Sequence, residues 1–530
     1  MKKTIFAGAS VLALSIAAPA FAQDQVGVQP GDAVPADCVG ANNCSVIDQT
    51  NNNNSATVTQ LGDNAVSVVD QDSNIAAGSS RRNTANVDQD GDGADSRISQ
   101  SGNRQEADVD QTGASYSEIS QQGRTQSAKV EQAGDGNESF IDQNGNSNSI
   151  GDPNDGSYED KPISAGVYQD GSDNLSVIDQ NETTFSTAEA VQLGSGNDSF
   201  IQQEVTGGAG QQNRSFVEVL QDGTDNISSV TQVEAGPPKA RLDATVNQFG
   251  ADNDSDVQQS GTLNTATVTQ RAIGETVGND STVLQRGENA VATIDQTGSD
   301  NNSEATQGAD NRTTGEQELL VTQNGTGNDS TVTQFGSLNT ANVNQDGTDN
   351  ISSVNQPGFD NSAGVPGVMT VGINQIGEGN ESEVTQSANF GQVNVDQIGD
   401  FNISSVTQTG RANFAVADVD QGGTGNNSTI TQTAPTPADG GPAFNMVAEV
   451  VQGDLSSNNT SEITQTNTLG DPQSSENFAR VEQYGEQNFS SVSQDGHNNS
   501  ANVMQYGDFD ASYVTQSGNG NVATVTQGTN

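Results

Sequence analysis

Asn54-Ser-Ala-Thr-Val-Thr-Gln60 is the segment that decides the fold, because its pattern recurs along the whole chain. Close copies are Asn339-Thr-Ala-Asn-Val-Asn-Gln345 and Asn521-Val-Ala-Thr-Val-Thr-Gln527. Each copy ends in Gln, has Val two residues earlier, a small residue four residues earlier and Asn six residues earlier. We count 38 units of this kind, the first ending at Gln49 and the last at Gln527. Self-similarity at a short, fixed period identifies a repeat architecture.

A second regularity doubles the period of the repeat. In every odd-numbered unit the residue four before Gln is serine, as at Ser67, and we call these serine units. In every even-numbered unit that residue is apolar and most often alanine, as at Ala56, and we call these alanine units. The repeat is therefore about 22 residues long and occurs 19 times.

The spacing of two within each unit predicts a β-strand. Successive side chains of a strand point to opposite faces, so Asn, Ser or Ala, Val or Ile, and Gln share one face. The intervening Thr, Asp, Ser, Asn and Glu suit solvent, whereas a helical period of 3.6 would scatter the same set around its surface. Gly commonly follows two residues after Gln, which predicts a short arc.

These features predict an all-β fold, a two-sheet parallel β-solenoid of about 19 cross-β-like coils, each built as strand–arc–strand–arc. Serines line one sheet and alanines the other, while Val and Ile fill a thin core. Gln and Asn at the strand ends form amide ladders between coils. Insertions collect after serine units, so the larger loops should protrude from one edge. The residues predicted to build the ladders are Gln60, Gln71, Gln270, Gln334, Gln345, Gln408, Gln516, Gln527, Val58, Val332, Ser67 and Ala56.

The composition agrees with a thin core and excludes several classes of function. The chain has 530 residues, 69 acids against 17 bases, a net charge of -52, 30% hydrophobic residues and no tryptophan. Such a composition is typical of disordered chains, and only the repeat argues otherwise. The negative charge would repel nucleic acid and anionic lipid. We expect weak binding of divalent cations along rows of acidic side chains.

The N-terminus resembles a secretory signal peptide over residues 1–22. Lys2 and Lys3 precede an apolar stretch, and Ala20-Phe-Ala22 is a small-x-small cleavage site. The signal peptide predicts that the chain is exported. No later apolar run is long enough to span a membrane, so we expect no integral membrane segment. We expect a flexible segment at 23–42 and the repeat domain at 43–530.

Few residues suggest a chemical site. Cys38 and Cys44 are the two cysteines, and whether they form a disulfide bond is left open. They have no neighbouring His, so they do not predict a zinc site. The serines have no base to activate them, and His497 is interpreted as a solvated turn residue. We therefore predict no catalytic, cofactor or metal site, and no enzyme.

The alternating units, the 22-residue period and the Gln-x-Gly-x-x-Asn arc resemble curlin repeats, from about residue 43 to residue 527. The resemblance implies a bacterial extracellular subunit of curli, the functional amyloid fibres of biofilm matrices and surface adhesion. It also implies a nucleator and an outer-membrane secretion pore as partners. The usual curlin serine lies six residues before Gln rather than four, and the usual subunit has about five repeats. These departures leave open whether the chain is a major subunit or a nucleator.

Both ends of the predicted solenoid are expected to be open. The last unit, Ala523-Thr-Val-Thr-Gln527, is regular, and the first unit begins at Cys44 after a linker. An open strand edge recruits another strand, which predicts a head-to-tail polymer of the chain with itself. The alternative is a monomeric β-solenoid that acts as an adhesin or surface-binding protein.

Overall fold

The structure is a computed structural model. It describes residues 42–51, 53–73, 82–146, 163–181, 186–205, 214–234, 241–274, 277–308, 317–336, 338–357, 369–387, 391–410, 415–434, 444–467 and 475–528. The predicted signal peptide at 1–22 and almost all of the predicted flexible segment at 23–42 lie outside the described residues, as do the large insertions at 147–162 and 435–443.

Regular secondary structure in these ranges consists of β-strands. The strands are β1 (Cys44–Asn51), β2 (Ser55–Gln60), β3 (Val66–Ser73), β4 (Thr84–Gln89), β5 (Asp95–Gln111), β6 (Tyr116–Ala133), β7 (Glu138–Asn146), β8 (Ile163–Ser172), β9 (Leu175–Asn181), β10 (Thr187–Ser195), β11 (Asp198–Val205), β12 (Arg214–Thr224), β13 (Ile227–Glu234), β14 (Arg241–Ala251), β15 (Asp254–Thr262), β16 (Asn264–Ala272), β17 (Asp280–Glu288), β18 (Ala290–Ser299), β19 (Asn302–Gly308), β20 (Gln317–Thr326), β21 (Asp329–Phe335), β22 (Asn339–Thr348), β23 (Ile351–Pro357), β24 (Met369–Glu378), β25 (Glu381–Gln386), β26 (Gln392–Asp400), β27 (Ile403–Gly410), β28 (Ala415–Thr424), β29 (Asn427–Ala434), β30 (Phe444–Gln452), β31 (Thr460–Thr466), β32 (Ser475–Gln483), β33 (Phe489–His497), β34 (Ser500–Gln505), β35 (Ala511–Asn519) and β36 (Val522–Gln527).

Each strand pairs in parallel with the strand two positions along the chain, which is the pairing of a solenoid. β11 pairs with β13, so that Ser199 lies beside Ser228. β14 pairs with β16, so that Ala244 lies beside Ala266. β5 and β6 each run on through an arc and contribute to both ladders. Serine units thus stack on serine units and alanine units on alanine units, and the predicted class of fold is confirmed.

The core is a thin layer between the two sheets. Burial alternates along the strands of the inner coils, as in β13, where every second residue from Ser228 onward is buried. The position two before Gln forms the centre of the core, and Val230 and Val332 are both fully buried there. One apolar stripe per strand is enough, because each coil is covered by the coils on either side of it.

A column of glycines lets the arcs after the alanine units stack closely. Gly377 has a φ of 128°, and a Cβ atom built on it would lie 2.1 Å from the carbonyl oxygen of Gly399 in the next coil. Backbone therefore packs directly on backbone at this edge. An L-residue would be strained by the positive φ and would also push the two coils apart.

Candidate functional site

The Gln residues that end the units form two continuous ladders of side-chain amides along the solenoid. Nε2 of Gln334 donates to Oε1 of Gln356 in the next serine unit, at 2.9 Å. The alanine units repeat the arrangement, since Nε2 of Gln345 donates to Oε1 of Gln375 at 2.9 Å. The other predicted glutamines make the same bond: Gln60 to Gln89 (2.9 Å), Gln71 to Gln100 (2.7 Å), Gln270 to Gln296 (3.0 Å), Gln408 to Gln432 (2.8 Å), Gln494 to Gln516 (2.8 Å) and Gln505 to Gln527 (2.9 Å).

The same amides also tie one sheet to the other. Nε2 of Gln345 donates to the backbone carbonyl oxygen of Asp329 in β21, which belongs to the serine ladder, at 2.9 Å. A buried amide costs stability unless its hydrogen-bonding groups are paired. The Gln side chain is bonded both to the Gln of the next coil and to the backbone of the opposite sheet. The ladders therefore stabilise the stacking of the coils and also fix the distance between the two sheets.

A column of buried asparagines lies beside the Gln ladders, six residues before the Gln of the serine units. Nδ2 of Asn226 donates to Oδ1 of Asn197 (2.9 Å) and to the carbonyl oxygen of Gly250 (2.9 Å). The backbone N–H of Asn226 donates to the same Oδ1 at 3.2 Å. Buried asparagines continue this column from Asn137 to Asn488. The sequence signal for it is an Asn that recurs two residues before the ladder serine.

The remaining predicted ladder residues occupy the core side of their strands. Val332 and Ser67 are buried, whereas Ala56 and Val58 are half-buried because their strand β2 lies near one end. Oγ of Ser96 donates to Oγ of Ser67 at 3.4 Å. Most other ladder serines have a buried hydroxyl without a hydrogen-bond partner in the described part of the chain, and Ser117, Ser199 and Ser352 are examples. The serine column therefore fills space rather than forming a continuous hydroxyl ladder.

The two terminal coils expose positions that are buried elsewhere. Ile47 in β1 is 45% exposed, whereas Val69, its partner in the next coil, is 1% exposed. Val525 in β36 is half-buried, whereas its partner Val503 is fully buried. Among the described residues β1 pairs only with β3, and β36 only with β34. Within the described ranges, each end therefore presents one unpaired strand edge per sheet and an uncovered section of core.

The Gln ladders give these two ends opposite hydrogen-bonding character. In every rung the Nε2 of the earlier coil donates to the Oε1 of the later coil, as Gln505 does to Gln527. At the C-terminal end, Nε2 of Gln527 donates to the backbone carbonyl oxygen of Ala511, and no other described Gln accepts a hydrogen bond from it. At the N-terminal end, no described side chain donates to Oε1 of Gln49 or Gln60. The C-terminal end therefore presents amide donors to a following coil, and the N-terminal end presents amide acceptors.

Acidic side chains stack on the outer faces, at the same spacing as the coils. Asp142 lies beside Asp179, and burial, followed by the charges of Asp142 and Glu204, raises the pKa of Asp179 to about 6. Asp254 lies beside Asp280, and burial, followed by the charge of Asp280, raises the pKa of Asp254. These columns oppose the stacking of coils at neutral pH and low salt, because the like charges of neighbouring coils repel one another.

The interpretation of His497 as a solvated residue is wrong: its side chain is 8% exposed and its Nδ1 has no hydrogen-bond partner among the described residues. The arc that carries His497 is covered by stacking, which the local sequence does not reveal. Cys44 is disulfide-bonded, and Cys38 lies outside the described residues, so the Cys38–Cys44 bond stays a proposal.

The described ranges contain no group of three or more His, Cys, Asp and Glu side chains placed to hold a metal ion. None of the residues that the structure describes forms a helix with the length and apolar character needed to cross a membrane. The group that repeats with every coil is the pair of Gln amides, and the unpaired strand edges of the described residues lie in the two terminal coils. Both features are suited to self-association.

Comparison with known proteins identifies the repeat. The family model of the curlin associated repeat matches residues 81–113, 318–347, 475–507 and 496–528. A search of curated proteins found no match. The matched segments lie near the N-terminal end, in the middle and at the C-terminal end of the solenoid, and each contains at least one Gln of the amide ladders. These four segments of the solenoid are curlin associated repeats.

Proposed function

We propose that the protein is a secreted structural subunit of curli-like extracellular amyloid fibres, which contribute to biofilm matrix and surface adhesion. Curlin repeats in a β-solenoid fit a structural or adhesive subunit of the curli type. The observation that carries the finer proposal is the complementarity of the two open ends. The amide donors at one end and the amide acceptors at the other allow one copy to continue the ladders of the next.

The end-to-end contact follows from the register of the terminal coils. When β35 and β36 of one copy stack on β1 and β2 of another, Gln516 and Gln527 reach Gln49 and Gln60 of the second copy. Serine units then meet serine units and alanine units meet alanine units. The half-exposed Ile47 gains cover from the other copy, which adds apolar burial to the new backbone hydrogen bonds. This contact repeats without closing, so it generates a fibre.

The proposed route to the cell surface has three parts. Residues 1–22 direct export through the inner membrane, and residues 23–42 address an outer-membrane secretion pore. A chain with few large apolar residues and a high net charge stays soluble while it is unfolded. Assembly then takes place outside the cell, and a curli-type nucleator starts it.

The test of fibre formation uses the chain from Gln23 onward. We expect electron microscopy over time to show unbranched fibres, with cross-β diffraction and a lag that seeds abolish. A small charged domain fused directly after Gln527 should block growth at that end while the solenoid still folds. The matched control carries the same domain on a long flexible linker and should grow normally. Growth of the directly capped protein from both ends at the wild-type rate would rule out end-to-end stacking.

The alternative function is a monomeric β-solenoid adhesin or surface-binding protein. The acidic columns favour it, because a net charge of -52 makes separate copies repel one another. Repulsion of this kind is screened by salt. We therefore expect faster assembly in added salt, in millimolar divalent cations or in mild acid. A chain that stays monomeric under all of these conditions and still binds surfaces would support the adhesin.

A further inference from the structure

Two tyrosines near the C-terminal end of the solenoid are stacked on each other. The ring centroids of Tyr484 and Tyr506 are 5.6 Å apart and their planes differ by 7°. The two side chains are 40% and 37% exposed, so a small solute can reach the edges of both rings. They lie 22 residues apart in the sequence, one residue after the paired Gln483 and Gln505.

The coil stacking fixes this pair in place. The backbone N–H of Tyr484 donates to the carbonyl oxygen of Gln505 at 2.8 Å, and that of Tyr506 donates to the carbonyl oxygen of Gln527 at 3.0 Å. The ring of Tyr484 lies over Gly453 in the preceding coil, since a Cβ atom built there would be 2.5 Å from its Cδ1. The two phenols are thus held side by side by bonded backbone, which raises their effective concentration toward each other.

We propose that Tyr484 and Tyr506 form an oxidative coupling site that a one-electron oxidant, such as a peroxidase with hydrogen peroxide, converts to dityrosine. Each phenol gives up one electron and one proton to become a phenoxyl radical. The radicals join through a carbon–carbon bond between their ortho carbons, and each ortho hydrogen then moves to restore its phenol oxygen. The pair loses two hydrogen atoms in total, and these reduce one hydrogen peroxide to two waters.

The other described tyrosines are Tyr116, Tyr168 and Tyr513, and none of them is paired with a tyrosine in a neighbouring coil. Tyr168 lies beside Glu131 and Val191. The Tyr116 hydroxyl donates to Oε2 of Glu118 at 2.8 Å, and its ring neighbour is Phe140. Tyr513 is 76% exposed, but its ring neighbour is Phe489. Among the described residues, Tyr484 and Tyr506 are the pair in which one coupling step joins two adjacent coils. The product is a covalent staple between those coils, close to the end proposed for growth.

The experiment uses the folded chain from Gln23 onward, at a dilution where it is monomeric, with a peroxidase and hydrogen peroxide. We expect dityrosine fluorescence, loss of two hydrogen atoms from the intact monomer mass, and a cross-linked peptide that contains Tyr484 and Tyr506. Tyr506→Phe and Tyr484→Phe keep the stacked rings but should each lower the yield about tenfold, because the paired phenol is gone. The matched control Tyr513→Phe should leave the yield unchanged.

Three results would overturn this site. They are a yield that Tyr506→Phe leaves intact, a cross-link found only between molecules, and an equal yield from the urea-unfolded chain. The measurement is made on monomers, so it does not depend on whether the chain forms fibres. A failure of the fibre proposal and a failure of the coupling site are therefore distinguishable.

Discussion

Replacing Gly377 with alanine tests the close stacking of the arcs most directly. Gly377 has a φ of 128°, and the added Cβ would lie 2.1 Å from the carbonyl oxygen of Gly399. The atom in the way belongs to the backbone of the next coil and cannot rotate aside. The substitution therefore strains the backbone of Gly377 and also separates two coils.

The size of the effect can be estimated from these two contributions. A non-glycine residue in such a region of φ costs about 1–3 kcal/mol. Moving the next arc away breaks bonds such as the one from the N–H of Phe401 to the carbonyl oxygen of Glu378, at 2.8 Å. Each lost bond of this kind costs about 1 kcal/mol. We expect Gly377→Ala to lower local stability by roughly 3–5 kcal/mol.

Gly372 offers a matched control in the same coil. It faces outward in β24 beside Asn394, and the nearest atom to an added Cβ is the Asn394 Oδ1 at 3.4 Å. Alanine fits at this position and reduces the freedom of the unfolded chain. Gly372→Ala should therefore raise local stability by about 0.5–1 kcal/mol.

Local stability should be read by hydrogen exchange of the β24 and β26 amides, supported by urea titration, because coils in a solenoid unfold partly independently. The prediction is a loss of protection at Gly377→Ala and a small gain at Gly372→Ala. Equal effects of the two substitutions, or none from Gly377→Ala, would mean that the glycine column does not limit the stacking.

Four further substitutions probe other parts of the molecule. Val332→Asp should lower the free energy of unfolding by at least about 3 kcal/mol, because it buries an unpaired charge. Thr331 is adjacent and faces outward, so Thr331→Asp should lower it by less than about 1 kcal/mol. Equal losses of stability in urea would contradict the alternation of faces. Asn426→Asp removes the Nδ2 group that donates to the carbonyl oxygens of Gly422 (2.5 Å) and Ser456 (3.4 Å). The substitution should lower the free energy of unfolding in urea by about 2–4 kcal/mol. Asn427 is the exposed neighbour, and Asn427→Asp should be close to neutral. Ser352→Ala should leave stability unchanged or slightly higher, since the buried Ser352 hydroxyl has no hydrogen-bond partner among the residues that the structure describes. A loss above about 1 kcal/mol would show that the hydroxyl is bonded. The pKa of Asp179 is about 6 against an ordinary 3.8, so the folded state binds the proton more tightly and stability rises as the pH falls from 7 through 6 towards 4. Asp179→Asn should therefore add about 1–2 kcal/mol of stability at pH 7, after allowance for solvent screening, and little at pH 4. An equal gain at both pH values would argue against the shifted pKa.

Local sequence was sufficient for the strands and for the class of fold. The alternation in Ser199-Phe-Ile-Gln-Gln203 specifies one buried face, and the alternation of serine and alanine units specifies two strands per coil. The repeat also predicted which residue types meet, because a stacked repeat places each Gln, such as Gln334, beside the equivalent Gln of the next coil. These predictions follow from periodicity alone, since identical positions of successive repeats stack by necessity.

Contacts between particular coils required the tertiary structure. Asp142 and Asp179 lie beside each other although 37 residues separate them, and Tyr484 meets Tyr506 after only 22. The arcs vary in length, so a residue's neighbour depends on the sum of all insertions between two coils. The burial of His497 and the steric need for glycine at Gly377 also come from adjacent coils. The direction of the Gln ladders is likewise a property of the stack, because a single unit contains both a donor and an acceptor and does not specify which of them points towards the next coil.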